Sequence, residues 1–193
     1  MKEKKIRISV RDITLMAMLI AIEIVLSRFC SIQAWNVKIG FAFIAPVTAA
    51  ILMGPAQAAV VAGVADVLGT LMFPIGPYFP GFTLNSCLNG LVWGLFLHKK
   101  PSIPKAAIAA GINQFIIGLF ITTFWISVLY GSPYLSLLPV RLTQACILFV
   151  AQFVTISVLQ EVLFKRIKGI FQVGVSAQEI KNKNNDKTDL RYK

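Results

Sequence analysis

The sequence is poor in side chains that do chemistry in water. Histidine occurs once, as His98, and only 8 of 193 residues are Asp or Glu. No Ser/His/Asp set, no His-Glu-x-x-His zinc motif and no close carboxylate pair is present, which counts against an enzyme. The absence of a G-x-x-x-x-G-K-[ST] segment excludes nucleotide hydrolysis by a P-loop. Three cysteines, Cys30, Cys87 and Cys146, are scattered and lack His partners. That argues against a disulfide framework or a zinc site, and they read as small buried hydrophobes. Long internal repeats are missing too, which removes support for an inverted-repeat transporter. No cofactor and no metal are expected.

What the chain has instead is long apolar runs. It is 56% hydrophobic and 14% charged, with mean hydropathy +0.74. This composition defines an integral membrane protein rather than a soluble domain. About 20 apolar residues cross a bilayer. Six such runs occur, at 12–29, 39–53, 56–73, 82–98, 106–130 and 140–164. The second is short and must tilt, or form a tight hairpin with the third through the helix breakers Gly54 and Pro55. A basic start leads straight into the first run without a small-residue cleavage site, so that run is expected to be retained.

The net charge of +11 would point to nucleic acid in a soluble protein. Here it follows topology. All Lys and Arg residues except Arg28, Lys38 and Arg141 fall in residues 2–11, in 99–105, or from Lys165 onward. By the positive-inside rule these places are cytoplasmic. The connectors 30–38, 74–81 and 131–139 then face outward, with Lys38 as their one charge. The expectation is an all-α integral membrane protein of six transmembrane helices, with both termini cytoplasmic. Residues 1–171 form one membrane domain, and 172–193 a polar, disordered tail. The outer connectors are rich in proline, glycine and aromatic residues. They read either as an interface belt or as a belt that also covers a ligand.

Polar groups inside spans are costly and mark functional sites by default. The candidates are Glu23, Arg28, Asp66, Asn85, Asn89, Asn113, Gln114, Arg141, Gln144 and Gln152. Arg28, Arg141 and Lys38 give the outer half three positive charges without an acid, which would attract an anion such as a carboxylate. The alternative is snorkelling to headgroups. Asn85 and Asn89 share one face of the fourth helix, and Arg141 and Gln144 one face of the sixth. An amide pair can read a heterocycle edge or simply bond helix to helix. Asp66, in Gly63-Val-Ala-Asp-Val-Leu-Gly69, can accept from ring N–H groups or pair structurally. Ala17 and Ala21 form a small-xxx-small contact stripe in the first span, a motif that more often serves ordinary packing.

Leu26-Ser-Arg-Phe29, Gly63-Val-Ala-Asp-Val-Leu-Gly69, Phe79-Pro-Gly-Phe-Thr-Leu-Asn85 and Leu138-Pro-Val-Arg141 carry a resemblance over residues 10–170. The chain resembles the folate-specific substrate-binding S components of energy-coupling factor vitamin transporters. The resemblance implies the S-component fold and high-affinity capture of folate or a reduced folate outside a bacterial plasma membrane. It implies delivery through a membrane coupling subunit and two cytoplasmic ATPases, by toppling in the bilayer, with no nucleic acid involved. Ala17 and Ala21 match the coupling-subunit contact, Arg28 an arginine near the pterin, and 30–41 a gating loop. Against folate chemistry, Arg28, Trp35, Phe41 and Tyr78 are stacking candidates. Asp66, Asn85 and Asn89 are edge readers, and Lys38 and Arg141, with Gln144 beside it, hold the glutamate tail. An S component for a flavin or pantothenate, and a structural membrane protein without ligand, are the competing readings.

Overall fold

The computed structural model describes residues 10–34, 37–74, 77–98 and 102–159. A compact unit runs to Ile156. It opens with α1 (Val10–Arg28). Strands β1 (Ser31–Ala34) and β2 (Val37–Gly40) follow as an antiparallel hairpin. Next come α2 (Ile44–Met53), α3 (Pro55–Met72) and α4 (Pro80–Leu97). Last are α5 (Ile103–Tyr130) and α6, described over Tyr134–Leu159. The expected tail at 172–193, and the end of the expected sixth span, lie outside the described residues.

The fold is helical but not purely so. The connector expected at 30–38 and the start of the run expected at 39–53 form the β1–β2 hairpin, with Ser31 paired to Gly40 and Ala34 to Val37. Hydropathy does not separate these residues from the helix that follows. That helix, α2, has only 10 residues. At ~1.5 Å per residue it covers about half of a ~30 Å hydrocarbon core. It turns directly into α3 at Gly54, whose φ of +104° suits a residue without Cβ. Pro55 then takes the first position of α3, where its missing N–H costs nothing. At the other end of the chain, α6 starts at Tyr134 rather than 140. Pro139 falls early in the helix, which continues through it at the loss of one backbone bond.

Large apolar side chains face outward along the helices, among them Met18 (64% exposed), Leu71 (67%), Leu95 (64%) and Val150 (60%). The interior is built of small residues, including Ala49, Ala50, Ala58, Ala62, Ala106 and Ala109, each nearly inaccessible. This inversion of the water-soluble pattern suits helices solvated by lipid, where small residues allow backbones to approach. The α3–α4 pair shows it most sharply. A Cβ on Gly90 would run into the Ala58 carbonyl, and one on Gly94 into Pro55.

Among the described residues three helices, α3, α5 and α6, are long and apolar enough to cross a membrane. The first, α1, has 19 residues but carries Arg11, Asp12, Glu23 and Arg28. The 18-residue α4 is diluted by Asn85, Asn89 and its glycines. Within α5, Ile112–Ile121 is a π-helix. Such wide turns are rare and concentrate at functional sites.

Candidate functional site

Short connections make successive helices antiparallel, so the ends of α1, α3 and α5 meet the starts of α2, α4 and α6. Between them lies a cavity of about 510 Å³, within the ~300–1,000 Å³ typical of small-molecule sites. Its lining sorts by height along the helices. Arg28, Phe43, Thr70, Pro77, Phe82 and Tyr130 belong to the hairpin ends of their helices. Glu23, Asp66, Asn89, Thr122, Arg141 and Gln144 lie further along their helices, toward the middle. Trp93, Asn113, Gln114 and Gln152 lie deepest. Arg141 and Gln152 are separated by roughly 16 Å along α6 at ~1.5 Å per residue, so the cavity is elongated.

These placements have local causes. Arg28 is the last residue of α1, and its Nη2 donates to the Thr70 hydroxyl on α3 at 3.0 Å. Gly69 makes the room, because a Cβ there would lie 3.3 Å from Arg28 Nε. Arg141 is only 8% exposed, so its charge sits within the bundle rather than in bulk water. On α3 the Asp66 carboxylate accepts from the Thr83 hydroxyl at 2.8 Å. That hydroxyl lies 3.2 Å from the Tyr78 hydroxyl, linking the α3–α4 connector to α3 through α4.

The deep end has a different character. Asn113 and Gln152 are 4% and 7% exposed. Both atoms of the Asn113 amide, and the Gln152 carbonyl oxygen, lack a hydrogen-bond partner in the protein. Leaving such groups unsatisfied costs about 1–3 kcal/mol each. Trp93, 1% exposed, walls the same end.

Of the residues singled out from sequence, Arg28, Asp66, Asn89, Arg141 and Gln144 come together on this cavity. Asn85 does not line it. Its Nδ2 donates to Thr122 Oγ1 at 3.0 Å, and its Oδ1 accepts from Trp125 Nε1 at 3.3 Å. Its amide therefore joins α4 to α5. Tyr78 and Phe41 are half-exposed, at 45% and 49%, and stand outside the lining. Phe41 packs on Phe43, with ring centroids 6.2 Å apart, and Phe43 does line the cavity. Trp35 lies outside the described residues. Lys38 is described only as a backbone position of β2, opposite Gln33. Ala17 and Ala21 are exposed on α1. Among the described residues no group of three His, Cys, Asp or Glu side chains can hold a metal ion.

Sequence reasoning assigned no role to Thr70, Phe43, Phe82, Tyr130 or Trp93. Thr, Phe, Tyr and Trp are ordinary membrane-helix residues, and nothing in their spacing separates lining from lipid face. Asn113 and Gln152 stood among the buried polar candidates, and their polarity was the available signal.

A cavity of small-molecule size, lined by polar and aromatic side chains among apolar helices, suits a membrane protein that holds a ligand. The chain belongs to the family of S components of ECF-type riboflavin transporters, whose model matches residues 7–169. It is 38% identical over 135 residues to the folate transporter FolT of Clostridium novyi (strain NT), covering 69% of this chain and 78% of that one. It is 27% identical over 153 residues to the folate transporter FolT of Leuconostoc mesenteroides subsp. mesenteroides, covering 76% and 82%. A crystal structure of FolT bound with folic acid superposes with a TM-score of 0.75 at 34% identity, covering 78% of this chain and 93% of that one.

Proposed function

We propose that this chain captures folate or a reduced folate at the outer face of a bacterial plasma membrane. It hands the ligand to an ECF coupling subunit driven by two cytoplasmic ATPases. The observation that carries the reading is the cavity itself, whose lining brings Arg28 and Arg141 together with Asp66, Asn89 and Gln144 and with the buried Asn113 and Gln152. An elongated ligand that combines carboxylates with a flat donor–acceptor heterocycle suits a lining that combines cations with amides. The folate-named relatives support the same ligand. The segment 30–41, with Trp35, Lys38 and Phe41 in its sequence, serves as the gate, and Tyr78 belongs to the connector between α3 and α4. Asn85 keeps α4 and α5 in register. The chain is multi-pass in this reading, with six spans and both termini cytoplasmic, an orientation its charge distribution supports. Ala17 and Ala21 form the coupling-subunit contact, a smooth exposed stripe against which another helix can pack.

The family model is named for riboflavin, and a flavin is the second reading. Riboflavin is neutral, and would leave Arg28 and Arg141 facing a ligand without an anion. Reconstitution tests the proposal. Proteoliposomes holding this chain, a coupling subunit and two ATPases are expected to accumulate radiolabelled folic acid with ATP. Without the ATPases, folic acid is expected to bind but not accumulate. Accumulation of riboflavin instead of folic acid would overturn the ligand while leaving the machine.

A further inference from the structure

We infer that Thr83 is a positioning residue of this cavity: from behind its wall, the Thr83 hydroxyl holds the Asp66 carboxylate ready for the ligand and ties it to Tyr78 in the α3–α4 connector. The inference rests on the capture reading above and adds a residue that acts without touching the ligand. Asp66 lines the cavity and Thr83 does not. Thr83 lines a separate apolar groove with Val60, Val64 and Leu68, three side chains that point outward from α3. A valine would suit that groove as well as a threonine, so the hydroxyl needs another reason.

Other helix threonines of this chain bond at home. Thr14, Thr48, Thr143 and Thr155 each donate to the carbonyl four residues back in the same helix, the ordinary local choice. Thr83 instead donates across the seam between α4 and α3, to Asp66 Oδ2 at 2.8 Å. A carboxylate only accepts, so the Thr83 proton is committed to Asp66. The Tyr78 hydroxyl, 3.2 Å away, therefore donates to Thr83 Oγ1. The chain of donors runs one way, from connector to carboxylate, and each bond polarises the next.

The bond has a purpose at the cavity. Thr70, one turn on from Asp66, accepts from Arg28 Nη2 at 3.0 Å, and Arg28, Asp66 and Thr70 all line the cavity. One face of α3 thus sets a held cation beside a held anion, each fixed by its own threonine. Released from Thr83, the carboxylate can turn to the Arg28 guanidinium, and the two charges are then spent on each other instead of on a ligand. A carboxylate has about four acceptor sites and Thr83 fills one, which leaves others for ligand N–H groups. Supporting bonds of this kind are what keep a binding group in its productive place.

The test uses the purified full chain and folic acid. Thr83→Val, which keeps the shape and removes the hydroxyl, is expected to lose about five- to twentyfold in affinity. Thr83→Ser, which keeps the hydroxyl, is expected to stay within about threefold of wild type. Tyr78→Phe, which removes the far end of the chain, is expected to lose about two- to fivefold. The decisive readout is a double-mutant cycle with Asp66→Ala. In that background Thr83→Val is expected to change affinity by less than about twofold, because nothing is left for the hydroxyl to hold. A hydroxyl that merely braces α4 would cost the same with or without Asp66. Should Thr83→Val fail to fold, Thr83→Ala takes its place. Unchanged affinity in Thr83→Val, an equal loss in Thr83→Ser, or a full loss persisting in the Asp66→Ala background overturns the assignment while the capture reading stands. Unchanged affinity in Tyr78→Phe overturns the link to the connector. Wild-type protein that does not bind folic acid overturns the capture reading with it.

Discussion

Arg28, the last residue of α1, donates to the Thr70 hydroxyl near the end of α3 at 3.0 Å, across a gap left by Gly69. This bond holds one cation of the cavity at a fixed place. Arg28→Ala is expected to weaken folic acid binding by about ten- to hundredfold, the loss of a charged hydrogen bond of ~1.5–3 kcal/mol. Thr70→Val keeps the charge and frees its position. It is expected to cost about two- to tenfold, the share of a neutral bond of ~0.5–1.5 kcal/mol. Equal losses in the two variants would mean that position, not charge, is what the ligand reads.

Asn85 separates a structural amide from a binding one. Asn85→Leu leaves Trp125 Nε1 and Thr122 Oγ1 without their partner, and is expected to lower Tm in detergent by several degrees. Folic acid affinity is expected to fall by less than about threefold, under ~1 kcal/mol. A large affinity loss at unchanged Tm would return Asn85 to the ligand.

The α3–α4 seam is expected to be intolerant. Gly94→Ala places a methyl against Pro55 in a backbone-to-backbone contact that has no flexible side chain to yield. Overpacking of this kind costs about 1–3 kcal/mol, read as a lower Tm. Gly111→Ala, where a Cβ would find its nearest neighbour, Phe149, at 3.8 Å, is the control expected to change little.

Capture and delivery are expected to separate at Ala17 and Ala21. Both are exposed on α1, away from the cavity lining. Ala17→Trp with Ala21→Trp should leave folic acid affinity within about twofold, as distant exposed changes do. The pair should abolish copurification with the coupling subunit and ATP-dependent uptake. Retained uptake would remove the stripe from the partner interface.

The helices and much of the cavity were legible in the sequence for one reason. A charge or amide inside an apolar run has few places to go but the bundle interior, and Arg28, Asp66, Asn89, Arg141 and Gln144 all went there. The same rule could not say which amide is spent on a neighbour. Asn85 is bonded to Thr122 and Trp125, partners far along the chain on another helix. The hairpin was hidden because Val37 and Ile39 are as apolar as the helix after them. The π-helix left no trace in a stretch that reads Ile-Asn-Gln-Phe-Ile-Ile-Gly. Trp93 and Phe43 were invisible because an aromatic residue facing a cavity has the same spelling as one facing lipid.

The most direct measurement is titration of the purified chain, alone and without nucleotide, with folic acid and with riboflavin. Tight one-to-one binding of folic acid, undisturbed by excess riboflavin, is the expected result. Tight binding of riboflavin with no response to folic acid would contradict the central claim.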